Sequence, residues 1–334
     1  MLIKYIEKYK KDRMITMKKF NGNLFEKLVK ATQSRLLALL PTELKNRGMR
    51  DIVATDDYIL AHGNVPVMLV AHLDTVHKET VKEIYKVGGA WSSPQGIGGD
   101  DRCGIYMILS LIEKLPFKPY VLFSTDEEIG CVGTGKFLKD YPVNEFEIKF
   151  MIEFDRKGNN DAVFYDCENS NFIDFVLEKT GYKFQHGAFT DICEIMSAWD
   201  VAGVNLSCGY YNAHTLKEYV VIDEMLNTID VTKKFLENLN FNEIPHFDAQ
   251  LYSPQYDTYG YYHYDDDMAY NEWMEKHKKQ SYYGEFYGKK YYMCDCGEIV
   301  DEDEFTICEG FCKNCFGYFS YDDELEDDAF VDEI

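Results

Sequence analysis

A largely parallel, in part mixed, β-sheet flanked by helices is the α/β fold that the sequence predicts. Three observations lead there. Apolar, strand-like runs alternate with helical patterns from about Leu24 to about Leu239. Such alternation implies crossover helices covering both faces of a sheet. The polar segments able to carry chemistry all fall at the end of a strand-like run or in the loop after it, where the side chains of a parallel sheet converge in a crevice.

Residues 66–73, Pro-Val-Met-Leu-Val-Ala-His-Leu, read as a buried strand ending at His72. Residues 103–115 form an apolar, helix-length segment with Asp100 and Asp101 at its start, after Gly96-Ile-Gly-Gly99. The glycines let the backbone turn sharply. Asp is a favoured N-cap, and Asp101 suits that position better, which leaves Asp100 to face a site. Residues 120–123 make a second strand before the Glu127–Glu128 pair, and residues 150–154 a third that delivers Asp155. A strand at 162–165 and helices at 172–179 and 191–199 come next. A strand at 203–206 leads to His214, and helical periodicity over 222–239 closes the unit.

Composition narrows the function. With 46% hydrophobic and 28% charged residues the chain is globular. A net charge of −23 argues against nucleic acid, whose phosphates need clustered Lys and Arg, and suits the holding of cations. No run approaches the ~20 apolar residues of a membrane helix. The basic N-terminus, with Lys4, Lys8, Lys10, Lys11, Arg13, Lys18 and Lys19, lacks the apolar stretch of a signal peptide. A cytoplasmic protein is therefore expected, and the scattered Cys103, Cys131, Cys167, Cys193 and Cys208 read as thiols.

Five segments carry the candidate chemistry: Ala71-His-Leu-Asp-Thr75, Gly99-Asp-Asp-Arg102, Thr125-Asp-Glu-Glu128, Glu153-Phe-Asp155 and Asn212-Ala-His214. They supply two histidines, three acidic ligand candidates and one spare glutamate, an inventory that fits two adjacent zinc ions beside a general base. In His-x-Asp, His72 can give one ring nitrogen to a metal while Asp74 holds the other, fixing the tautomer. Alone that pair is common by chance. Asp100 can offer one oxygen to each of two metals. Adjacent Glu127 and Glu128 repel unless positive charge lies nearby; in an extended loop they diverge, so one can ligate while the other reaches water. A solvated acidic turn is the plainer explanation in a chain with 58 acidic residues. The ordered coincidence of all five segments outweighs the plain reading of each.

That order resembles the di-zinc exopeptidase and amidohydrolase superfamily, which includes peptidase T, carboxypeptidase G and succinyl-diaminopimelate desuccinylase relatives and the glutamyl aminopeptidases. The matching motifs are Ala-His-Leu-Asp-Thr, Gly-Asp-Asp-Arg-x-Gly, Asp-Glu-Glu-x-Gly, the Glu-Phe-Asp strand end and Gly-Tyr-Tyr-Asn-Ala-His-x-x-x-Glu, with Gly187-Ala-Phe-Thr-Asp191 similar to a late Gly-Thr-Asp element. The resemblance covers roughly Leu24 to Leu239. It implies that His72, Asp100 and Asp155 bind one zinc and Asp100, Glu128 and His214 the other. Glu127 would be the general base and Asp74 the support of His72. Cobalt or manganese could replace the active-site zinc. The implied activity is hydrolysis of an amide bond in a peptide or N-acyl amino acid by a hydroxide bridging the two metals. Relatives often carry an inserted lid, but neither 72–100 nor 155–214 has room for a domain of about 100 residues. Arg156, Tyr210, Tyr211 and Asn212 are candidates to replace the lid's substrate contacts.

The chain divides by composition into a catalytic domain at 1–240, a Tyr-rich acidic connector at 241–290, a cysteine module at 291–320 and an acidic tail at 321–334. Twelve of the 26 tyrosines lie between Tyr252 and Tyr292. Cys294-x-Cys296 and Cys312-x-x-Cys315, with Cys308 between, are spaced like the knuckles of a zinc ribbon holding one structural zinc; free thiols or disulfides are the alternative. Such a module could dock a protein partner. A catalytically silent relative that binds partners through this appendage is the alternative to an enzyme, and the oligomeric state is left open.

Overall fold

The computed structural model describes residues 20–187 and 189–251, together with the backbone of strands at 282–286, 289–293 and 299–301. Two units divide at residues 253/254.

In the first unit, helices α1 (Gly22–Val29) and α2 (Gln33–Asn46) precede strands β1 (Arg50–Ala54), β2 (Tyr58–His62) and β3 (Val65–His72). Side-chain oxygens of Asn21 and Thr32 cap the two helices, accepting from Leu24 N and Arg35 N. A hairpin of β4 (Tyr85–Val87) and β5 (Ala90–Ser92) leads to α3 (Gly99–Lys114), β6 (Pro119–Ser124), α4 (Val132–Asp140) and β7 (Phe150–Arg156). Then come β8 (Asp161–Val163), α5 (Ser170–Thr180), β9 (Lys183–Gln185), α6 (Asp191–Trp199), β10 (Gly203–Ser207), β11 (Tyr210–Tyr211), β12 (Tyr219–Val221) and α7 (Ile222–Glu237).

Eight strands form one mixed sheet in the order β1-β2-β6-β3-β7-β10-β8-β9. Its centre, β6-β3-β7-β10, is parallel throughout. Residues 67–72 of β3 and 150–154 of β7 are all buried, so both faces are covered, as continuous apolar strands require. Helix α3 packs on β3 and β7 and against α1 and α7, while α4 and α6 pack together. Phe150 joins Phe172, Phe175, Phe235 and Phe247 in one aromatic cluster, with ring centroids 5.9 to 6.4 Å away. A second sheet, β11-β12-β5-β4, stands beside the α3 N-terminus through the contacts of β11 and β12 with that helix. The elements between Asp155 and His214 are β8, α5, β9, α6, β10 and β11, so that stretch builds the sheet and its helices.

The expected central strands and helices are present, and their ends differ from expectation by four residues at most. Helices α1, α2 and α4, strands β1, β2 and β9 and the small second sheet are additions to the sequence-based expectation. Pro41 sits inside α2, which hides that helix from a reading based on helix breakers.

The start of α3 is irregular. Asp100 and Asp101 have non-helical backbone angles, and their peptide bond is cis. The Asp101 carboxylate accepts Gly104 N–H at 2.9 Å and His72 N–H at 3.3 Å. It thus caps the regular helix, as expected, and ties that helix to the end of β3. Gly104 allows the close approach: a Cβ there would collide with the Phe154 carbonyl oxygen and the Asp101 carboxylate. Gly104→Ala is therefore expected to destabilise the unit by about 1–3 kcal/mol or more, measured as a lowered urea midpoint. An unchanged midpoint would show that α3 can move off β7 at no cost.

In the second unit, β13 (Tyr282–Phe286), β14 (Lys289–Met293) and β15 (Ile299–Asp301) form an antiparallel three-stranded sheet. Cys294, Cys296, Cys308, Cys312 and Cys315, most of the Tyr-rich connector and the acidic tail lie outside the described residues, as does the basic N-terminus.

Candidate metal centre

Three neighbouring strands end at one place. His72 closes β3, Glu127 and Glu128 follow β6, and Asp155 is near the end of β7. Asp100 arrives from the α3 start and His214 from the loop after β11. The converging parallel register is what brings these distant residues together.

Asp100 is the hub. Its Oδ1 lies 3.1 Å from His72 Nε2, and its Oδ2 lies 3.3 Å from His214 Nε2. His214 Nε2 is also 3.1 Å from Glu128 Oε2, and His72 Nε2 is 3.7 Å from Asp155 Oδ1. One carboxylate thus faces an imidazole on each side, and each imidazole faces a second carboxylate. Among the described residues, Asp100–Glu128–His214, His72–Asp101–Asp155 and His72–Glu127–Glu128 are groups whose ligand atoms could hold a metal ion. Asp101 already has both oxygens on backbone amides, so it serves as a tether and Asp100 is the freer donor. His72 is fully buried, whereas the His214 side chain is 53% exposed, which opens the centre on the His214 side.

Electrostatics show how much positive charge this cluster demands. Burial opposes a charge on His72, yet hydrogen bonds to Asp100, Asp155 and Asp74 push its pKa well above the ordinary value. Hydrogen bonds to Asp100 and Glu128 push His214 up to about 11. Burial works against ionisation of Asp100, but His214 and His72 hold its pKa well below the ordinary value. Burial and then the Asp100 charge raise Asp155 to about 7. Burial raises Glu127 to about 9, with Asp155, Asp191 and Glu128 adding to the rise against the pull of His72. Protons on the two imidazoles stand where divalent cations would give the same compensation. Glu128 Oε1 is buried without a hydrogen-bond partner among the described residues, a spare lone pair that suits a metal. Carboxylate and imidazole donors accept zinc, cobalt or manganese.

Asp74 organises the surroundings. Its Oδ1 lies 3.1 Å from His72 Nδ1 and accepts Glu127 N–H at 3.0 Å, while Oδ2 accepts Glu128 N–H at 3.0 Å. One carboxylate therefore fixes both the imidazole and the loop bearing the Glu pair. Asp74→Asn should weaken metal binding by about 10–100-fold, read by titration against a chelating indicator. Parental affinity in that variant would remove Asp74 from this role.

The four residues expected to touch substrate have other partners. The buried Tyr210 donates its hydroxyl to Asp155 Oδ1 at 3.0 Å. The Tyr211 hydroxyl donates to Glu224 Oε2 at 2.7 Å, and its ring stacks on Tyr219. Asn212 donates to Lys217 O at 3.4 Å within its own loop, and Arg156 Nε lies 3.6 Å from Asp161. The tyrosine and asparagine contacts fix the loop that ends at His214, because each ties it to a neighbour or to itself.

Several contributors are given no role by the sequence, although Arg102, Glu153, Thr190 and Asp191 lie inside the segments quoted above. Thr190 donates to Asp155 Oδ2 at 3.1 Å, and Asn205 accepts Asp155 N–H and donates to Asp155 O, at 2.8 and 2.9 Å. Arg102 donates to the carbonyls of Leu73 and Asp74 at 2.6 and 2.8 Å. Asp191 is wholly buried and receives the hydroxyls of Ser124 and Thr134. Both Glu153 carboxyl oxygens are buried without a partner among the described residues, and burial with the Asp155 charge raises its pKa well above the ordinary value. A polar residue inside an apolar run, as Asn205 and Glu153 are, is the signal that could have found them.

This architecture belongs to a fold shared with solved aminopeptidases. The aminopeptidase PepT from Bacillus cereus aligns over 64% of this chain and 96% of its own, at 13% identity and a TM-score of 0.53. A tripeptidase from Staphylococcus aureus does so over 64% and 96%, at 13% identity and a TM-score of 0.51. An aminopeptidase from the archaeon Desulfurococcus kamchatkensis aligns over 66% and 95%, at 14% identity and a TM-score of 0.50. No protein-family model and no curated sequence matches the chain. The comparisons therefore establish the fold, a helix-flanked, mostly parallel sheet. Among the described residues no helix is long and apolar enough to cross a membrane.

Proposed function

We propose that the chain is a metal-dependent exopeptidase that releases the N-terminal residue of short peptides. The observation that carries this is the two-sided Asp100, with His72 on one oxygen and His214 on the other. That arrangement suits two ions sharing one carboxylate, with His72, Asp100 and Asp155 on one side and Asp100, Glu128 and His214 on the other. Two zinc ions held there would supply Lewis acidity for the scissile carbonyl and for water.

The chain's own residues do the remainder. Asp74 orients His72 and holds the Glu127 and Glu128 amides. Glu127 takes a proton from the attacking water and returns it to the departing amine, and metal ions beside it would favour the carboxylate form that the first transfer needs. Burial of His72 and Asp100 excludes bulk water from the inner side of the centre.

Charge favours an amino terminus over a carboxyl terminus. The nearby Arg102 is committed to carbonyls and Arg156 faces Asp161, so neither guanidinium is spare for a peptide carboxylate. The names of the structural neighbours, aminopeptidases and a tripeptidase, support the same choice. The free thiols of Cys103, Cys131, Cys167, Cys193 and Cys208 fit a reducing compartment such as the cytoplasm. One zinc in the C-terminal cysteine cluster remains part of this proposal, resting on spacing alone.

The test is a library of di- and tripeptides offered with free, acetylated or amidated ends to zinc-loaded protein. Hydrolysis of free-amine peptides that tolerates C-terminal amidation, fails on acetylated ones and stops with chelator is expected. Turnover of N-acyl amino acids with free-amine peptides left intact would replace this reading with a deacylase.

A further inference from the structure

Glu218 is a fully buried carboxylate on the second sheet's side of the centre, and the proposed chemistry does not use it. It lies just before β12, and its relative exposure is 0%. Its Oε1 accepts Asp100 N–H at 2.9 Å, and its Oε2 accepts Gly98 N–H at 2.8 Å. His77 Nε2 lies 2.8 Å from the same Oε2. The amides on either side of Gly99 are thus pinned by one carboxylate, which His77 fixes from a separate loop. The local packing leaves no slack. A Cβ on Gly99 would meet Val220, Tyr210 and Glu218, and one on Gly96 would collide with the His77 ring.

We infer that Glu218, seated by His77, is the residue that positions Asp100 to be shared by two metal ions. The reasoning is geometric. Asp100 can serve both sides only if its backbone is held where its two oxygens face His72 and His214. Asp100 and Asp101 lie outside regular helical geometry, so no helical hydrogen-bond ladder fixes Asp100 and the constraint must come from elsewhere. Glu218 supplies it through two charge-assisted bonds to backbone amides, stronger than neutral ones. Glu218 is a positioning residue, acting through Asp100, and the inference rests on the two-metal reading of the site.

Glu218→Gln tests it. A glutamine side chain keeps the volume but has one acceptor oxygen, and its NH₂ would face an N–H, so one amide loses its partner. The parent, with whatever zinc its C-terminal cysteines take, sets the baseline in the full-length protein. The expected result is a zinc affinity about 10–100-fold weaker for one ion per chain, with the remaining zinc bound as in the parent. In peptide hydrolysis kcat falls while KM stays within about twofold, because Glu218 touches no substrate. The melting temperature of the chelated protein falls by only a few degrees, the cost of about one unpaired buried amide. The loss of affinity for one ion in a protein that still folds separates positioning from a merely structural role. His77→Gln leaves the carboxylate in place but unseated and should give a smaller loss in the same ion, so the inference stays testable if Glu218→Gln does not fold. Parental zinc affinity and parental kcat in both variants would overturn it. A parent that binds the zinc but cleaves no peptide would sink the proposed function and leave the role of Glu218 to the affinity data.

Discussion

Glu127→Gln is expected to lower kcat by about 10²–10⁴-fold while leaving the zinc content at the parental level. Glutamine keeps the shape of the side chain and loses the ability to take a proton. The geometry makes the experiment discriminating, because Glu127 also sits within ligand distance of His72 and Glu128. If Glu127 were a ligand, the variant would lose metal together with activity. If it is the base, metal stays and turnover goes. Glu127 Oε2 lies 4.0 Å from His72 Nε2, farther than Asp100 or Asp155, which favours the second outcome. Zinc analysis beside steady-state kinetics decides it, and near-parental turnover would remove Glu127 from the mechanism.

The second large effect is on stability. Without metal, the protein should melt at progressively lower temperature as pH rises from about 5 to about 9, and zinc should reverse the trend. The sign comes from linkage. Asp155 at about 7 and Glu127 at about 9 keep protons in the folded state that they lose near pH 4 when unfolded. His214 at about 11, and His72 with its raised pKa, keep protons that unfolded imidazoles lose near 6.5. The folded state therefore binds more protons across this window, and its stability declines as pH climbs. Asp100 and Asp74 have lowered pKa values and act only below about pH 4, in the opposite sense. Metal ions require deprotonated ligands, so the gain from zinc should grow with pH. At 1,000 times its dissociation constant one ion adds about 4 kcal/mol, on the order of 10 °C for a unit of this size. Melts at five pH values, with chelator or zinc and at about 0.5 M salt to screen surface repulsion, test this. A chelated melting temperature that rises towards pH 9 would contradict it.

The parts of this site visible in sequence are those obeying a local rule. His72 and Asp155 end apolar strands, and Glu127–Glu128 follow one, so period and placement expose them. Asp101 announces its capping role by preceding a helical pattern. What escapes is the role of residues whose contacts join distant segments, even where a motif contains them, as His214-x-x-x-Glu218 does. Glu218 acts on Asp100 from 118 positions away, and Thr190 and Asn205 reach Asp155 from other elements. Tyr210 and Tyr211 resemble substrate contacts in sequence because a hydroxyl near a ligand loop suits that role; the fold spends both hydroxyls on carboxylates. The edge strands are hidden for a different reason: β1 and β9 have no buried residue, so burial leaves no pattern to read.

Gln33, in the first turn of α2, donates to Asp126 Oδ1 at 2.8 Å and accepts Asp126 N–H at 3.1 Å. The turn preceding the glutamate pair is thus moored twice to a helix that comes before every ligand in the chain. A fragment trimmed to retain His72 through His214 would own the whole donor set and the Asp74 tether, yet lose both of these bonds. The smallest competent version of the proposed enzyme therefore includes that helix.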